Sequence, residues 1–140
     1  MAFRDLLVEQ AEQLGKALGK VFSDLLRLKS TGKVALGIEV SNQQLKTEVD
    51  IDVKQILASD KATLKAYFMD RRFIPHHLEI LSAYLKEAGE YKITTEPIEA
   101  KAYLQKALEL LDIADETTQT ISFVRIDKKK VIEELIQDCT

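Results

Sequence analysis

Residues 2–29 carry one helical period from end to end, and no proline falls among them. Phe3, Leu7, Leu14, Leu18, Val21, Leu25 and Leu28 follow one another at steps of three, four or seven. Such steps keep side chains on one face of an α-helix. Asp5 and Glu9 near the start and Arg27 and Lys29 near the end suit the helix dipole. Ser30-Thr31-Gly32 then stops the run, with Gly32 a left-handed cap. A continuous helix here is about 42 Å long at ~1.5 Å per residue, more than a compact domain of this size needs. Leu6, Val8, Phe22 and Leu26 widen the apolar stripe beyond one narrow face. A long helix with so wide an apolar face is expected to pack on more than its own chain.

The same economy of punctuation holds throughout. Two prolines and five glycines in 140 residues are too few for a sandwich or barrel, which turns every few residues. The fold class expected is all-α, with about six helices and the long first helix packed on antiparallel hairpins. A second helix is expected over roughly 33–47, with Ala35, Ile38, Asn42 and Leu45 in line; Ser41-Asn42-Gln43-Gln44 also fits a capping box and offers a break. Asp52 caps a short piece carrying Val53, Ile56 and Leu57. Ser59-Asp60 caps the next helix, with Leu64, Tyr67 and Phe68 inward and Arg71-Arg72 at its end. Pro75 opens a helix whose inner face is Leu78, Leu81, Tyr84 and Leu85, ended by Gly89. Residues 90–95 read as a loop. Thr95 caps a helix over about 96–115 with Ala100, Leu104, Ala107, Leu108 and Leu111 inward. The last segment is read as a helix over 118–137 facing inward through Ile121, Val124, Lys128, Val131 and Leu135. The chain is one domain, 1–140, in three stretches: 1–50, 51–90 and 91–140.

Twenty basic and twenty-three acidic residues leave a net charge of −3. Such a chain has no general field for nucleic acid or an anionic membrane. The basic runs are Arg125 with Lys128-Lys129-Lys130, partly neutralised by Glu133 and Glu134, and Arg71-Arg72; no aromatic residues interleave them as in a nucleic-acid surface. No apolar run is long enough to span a membrane, and the N-terminal residues lack a signal-peptide core. A cytoplasmic location is the default expectation. Cys139 stands alone, so no disulfide within the chain is possible; it is expected in a frayed end.

Chemistry is sparse. Gly15-Lys16-Ala17-Leu18-Gly19-Lys20-Val21 superficially resembles a phosphate loop, but three residues separate its glycines where four are needed, and Val21 stands where Ser or Thr would hold a metal. His76 and His77 are the only histidines, and neighbours on a helix point about 100° apart. His76 and Glu79, at i,i+3, can share a face. His76, His77 and Glu79 are therefore the metal-ligand candidates, against a capping or solvated role at a helix start. A di-iron bundle would need more histidines than the chain has. No catalytic residue is nominated and no cofactor is expected.

Leu78-x-x-Leu81-Ser82-x-x-Leu85, then Gly89-Glu90-Tyr91, then Ala100-x-x-x-Leu104-x-x-Ala107-Leu108-x-Leu110 resembles one tetratricopeptide repeat. It departs from that pattern by about six extra residues between Gly89 and Ala100, and by Asp112 in place of the closing proline. It covers about 33 of the 140 residues, and the first two helices resemble a degenerate neighbour. The whole order, with LGKALGKVFSDLL in a long first helix, is similar to a group of small, uncharacterised bacterial helical proteins. That resemblance implies no activity, ligand or site residue.

The expectation drawn from the residues is a non-enzymatic interaction module that self-associates, as a dimer or with a protein partner. Gly15 and Gly19, four apart inside a helix, leave two bare patches where another backbone can approach. Leu18, Phe22 and Leu26 complete the expected contact set. The alternative, from another class, is a small metal-dependent helical enzyme using His76, His77 and nearby carboxylates.

Overall fold

The computed structural model describes residues 2–139. Among them the chain forms seven helices: α1 (Ala2–Ser30), α2 (Val34–Val49), α3 (Val53–Ala58), α4 (Lys61–Asp70), α5 (Pro75–Lys92), α6 (Pro97–Thr118) and α7 (Phe123–Gln137). No strand occurs among the described residues, and none of the helices is long and apolar enough to cross a membrane.

The centre is the α5–α6 hairpin, the most extensive helix pair in the molecule. Leu78, Leu81, Tyr84, Leu85 and Ala88 of α5 face Ala100, Leu104, Ala107 and Leu111 of α6, all buried. Leu108, expected inward, is only partly so. The Ser82 hydroxyl donates to the Ala107 carbonyl at 2.7 Å across the interface. α1 packs on α5 from one side and α7 on α6 from the other. The Lys29–Glu87 ion pair (2.8 Å) and the contact of Gly15 with the His77 ring make α1 and α5 run in the same direction. Asp115 bonding to Arg125, near the start of α7, makes α6 and α7 antiparallel. α1, α5 and α7 therefore point one way, with α2 and α6 returning between them.

Local chemistry sets most boundaries as expected. The carboxylates of Asp52 and Asp60 accept from the amides of Lys54 (3.1 Å) and Thr63 (2.8 Å), starting α3 and α4. α2 does not break at Ser41; it runs to Val49, with Ser41 and Ile38 buried and Ala35 exposed. It ends where Asp50 turns left-handed (φ 56°), and the Asp50 and Ile51 amides both reach the Leu45 carbonyl, Ile51 at 3.0 Å. Arg71 completes that cap. Its guanidinium donates to the Val49 carbonyl at 2.6 Å and to the Asp50 carbonyl, and lies 5.2 Å from the Tyr67 ring centre. So Arg71 belongs to the framework and not to a solvated basic run. Arg71→Met removes two charge-assisted bonds to carbonyls and is expected to cost about 2 kcal/mol, read from the urea midpoint.

Three expectations are corrected. Gly89 does not end α5, which continues to Lys92; Gly89 is buried in its last turn, close against α6. Thr95 is not the cap of α6: Glu96 precedes its first residue, Pro97, and makes no side-chain cap bond. The terminal helix does not run over 118–137. α6 extends to Thr118, Gln119 turns left-handed (φ 55°), and Ser122 opens α7 by accepting from the Arg125 amide at 3.2 Å.

The inward face of α7 is corrected too. Ile121, Val124 and Val131 are exposed, while Arg125 and Ile132 are buried. Arg125 wins the inward position because it has partners there: its Nε donates to Asp115 at 2.5 Å and its Nη2 to Thr118 Oγ1 at 3.2 Å. Lys129 pairs with Asp112 (2.8 Å) and Asp115 (2.5 Å). Burial pushes the Asp115 carboxyl up, but the bonds from Lys129 and Arg125 outweigh it and hold it below the usual range. Much of this basic run is thus consumed by the acids of α6. Cys139 is not at a frayed end: its side chain is partly buried against the core.

Candidate functional site

Of the residues singled out by spacing, Gly15, His76 and His77 line one groove beside the amino-terminal half of α1, while Leu18, Gly19, Phe22, Leu26 and Glu79 lie outside it. It has a volume of about 570 Å3, and its walls include Val8, Glu12, Gly15, Lys16, Ile74 and His76. The sequence puts it there for a simple reason. Pro75 starts α5 directly after the α4–α5 turn, so the histidines that follow lie in its first turn, against α1.

His77 is fully enclosed, 1% exposed, and both its ring nitrogens are engaged. Nδ1 accepts from the Ile74 amide at 3.1 Å, reaching back to the residue before α5 as the third residue of a capping box does. That acceptor role leaves the proton on Nε2, which donates to the Ala11 carbonyl at 2.8 Å. Burial, helped by His76, pushes its pKa below the ordinary 6.5, against the Ala11 bond. His77 is a neutral rivet between α1 and α5 with no lone pair left for a metal. His76 is exposed beside Gly15, whereas Glu79 faces α7, 3.9 Å from both Arg125 and Lys128. The structure thus does not join His76, His77 and Glu79 into a ligand set. Among the described residues no group of three His, Cys, Asp or Glu side chains is placed to hold a metal ion.

The expected contact residues of α1 divide. Leu18 is 2% exposed, anchored in the core with Val21 and Leu25, and is therefore not available to a partner. Phe22 is half-buried against that core. Leu26 is 39% exposed. A Cβ on Gly15 would sit 3.7 Å from the His77 ring, an ordinary contact, and one on Gly19 would meet nothing within 4 Å. Neither glycine is required by packing within the chain. Gly37 and Gly89 are: a Cβ on Gly37 would lie 3.0 Å from Leu28 Cβ. Gly19→Ala is therefore expected to stabilise the monomer by about 1 kcal/mol through helix propensity alone, raising Tm by about 3 °C in a dilute melt.

Phe3, Leu6 and Val8, part of the wide apolar stripe but outside the expected contact set, are exposed at 67%, 49% and 54%. The helical period marked Phe3 for the core, but α1 makes its first fully buried contact only at Leu18. Its earlier turns extend beyond the α2 hairpin and touch the body through Leu14, Ala11 and the Ile74 region. Phe3 finds only the Arg72 guanidinium, 6.0 Å from its ring centre. A second signal missed was the α2–α5–α6 tie: Tyr84 donates to Asn42, whose amide donates to the Tyr103 hydroxyl at 3.0 Å. It is a framework element, and burial raises both phenol pKa values.

The site can bind by shape and apolar contact. It holds no nucleophile–base pair and no engaged acid–base dyad. Comparisons of the chain with family models, with curated proteins and with solved structures find no match.

Proposed function

We propose that this protein is a non-enzymatic interaction module that self-associates through the exposed side of α1. The observation that carries this reading is the uncovered apolar side chains of α1, Val8 and Leu26 in line on one face and Phe3 and Leu6 on another, along a helix that outreaches its own domain. Exposed apolar side chains spaced along one projecting helix are the anchor pattern of helix-in-groove binding. The succession α1–α2, α5–α6, α7, with the odd members co-directional, supports a short hairpin stack of tetratricopeptide type, with α3–α4 inserted. The test is sedimentation equilibrium at tens of micromolar. A dimer is expected, and Val8→Asp with Leu26→Asp is expected to make it monomeric with helicity kept. A wild-type monomer at that concentration overturns the proposal.

A further inference from the structure

The same reading of α1 can be taken one step further, to the geometry of the pair, and rests on it. Beside the line Val8, Gly15, Gly19 and Leu26 runs a column of charge at helical steps: Asp5, Glu9 and Glu12, then Lys16, Lys20 and Arg27. The acids occupy the amino-terminal half and the bases the carboxy-terminal half. The helix dipole accounts for Asp5 and Arg27 but acts only over the first and last turns, so it leaves Glu9, Glu12, Lys16 and Lys20 unexplained. Those four side chains, and Asp5, are exposed and make no ion pair among the described residues, and only Arg27 has a neighbour, Asp24 at 3.7 Å. Some lysines elsewhere are paired, among them Lys61 and Lys65 on Glu116, Lys86 on Glu90 and Lys106 on Glu109.

We infer that the partner of α1 is α1 of a second copy, laid antiparallel in the groove beside Gly15 and Ile74. A two-fold axis across two antiparallel helices brings the same edge of each side by side. It then sets Glu12 near Lys20 of the other copy and Asp5 near Arg27, with Lys16 beside the axis, so these acids meet bases only in this orientation; parallel helices would oppose acid to acid. The same operation brings Val8 against Leu26 and Gly15 against Gly19. Gly19 has open space above it, whereas the His76 and His77 rings of the same chain lie over Gly15, so the bare backbone offered to the partner is at Gly19.

Two measurements on the full chain decide it. In a Cys139→Ser background, Val8→Cys and Leu26→Cys chains are mixed and treated with a short bismaleimide. The expected product is the mixed cross-linked dimer. Cross-linking of Val8→Cys to itself, with none in the mixture, overturns the antiparallel arrangement while self-association stands; a wild-type monomer in sedimentation removes both. Second, Glu9→Lys with Glu12→Lys, and separately Lys16→Glu with Lys20→Glu, should each weaken self-association about tenfold with unchanged helicity. An equimolar mixture of the two variants should recover wild-type affinity. Reversals that leave the dissociation constant unchanged overturn the charge-column assignment.

Discussion

Gly89→Val is expected to remove about 3 kcal/mol of stability, the largest loss from any glycine in the chain. A Cβ at this position would lie 3.0 Å from both Leu104 Cγ and Tyr103 Cβ and 3.2 Å from the Ala100 carbonyl oxygen. Side chains can rotate away, but the carbonyl belongs to the α6 backbone, so the helices must separate. Separation would loosen the α5–α6 interface, including the Ser82 bond to Ala107. Gly89→Ala carries the same steric problem with less bulk, offset by helix propensity worth about 1 kcal/mol. Set beside Gly19→Ala, which gains the same propensity with no neighbour to displace, it isolates the packing cost as the difference between two identical substitutions. Urea denaturation of both measures it. A neutral Gly89→Val would mean that the two helices are not in close contact there.

His77→Ala should cost about 3 kcal/mol, from a buried ring lost and an Ile74 amide left without its acceptor. The same side chain gives stability a pH dependence whose sign follows from its protonation. The unfolded chain titrates near 6.5 and the folded one lower, because burial disfavours the imidazolium and a proton on Nδ1 would face the Ile74 amide. Between those two values the unfolded state binds more protons, so stability rises with pH. The contribution is complete above about pH 6.5 and is lost as pH falls through the folded pKa. Urea midpoints measured downward from pH 7.5 should fall in this window for the wild type and stay flatter for His77→Ala. An equal slope in both would show that other groups carry the dependence.

The helical class, the apolar positions of α5 and α6 and the aspartate caps of α3 and α4 were legible because each depends on neighbours within a turn or two. Pro75 and the left-handed Gly32 (φ 78°) belong to the same group. The site was legible in part. The position of His76 and His77 at a helix start pointed to capping, and His77 does cap α5. That His77 is sealed, and so unfit as a ligand, depends on Ala11, which is 66 residues away in the chain.

The remaining differences share a cause. Gly89 and Gly19 both lie inside helices, and nothing local tells the one that α6 presses against from the one that faces open space. Val124 and Arg125 are adjacent on α7; local polarity turns the valine inward, while Asp115 and Thr118 on α6 draw the arginine in instead. Phe3 and Leu25 sit in the same helical period, yet only the carboxy-terminal half of α1 has α2 beside it to bury its apolar side. Periodicity and capping act through hydrogen bonds and contacts a few residues apart, so the order of residues contains them. Burial and close approach arise where distant helices meet, and they separate buried from exposed apolar residues along one unbroken helix.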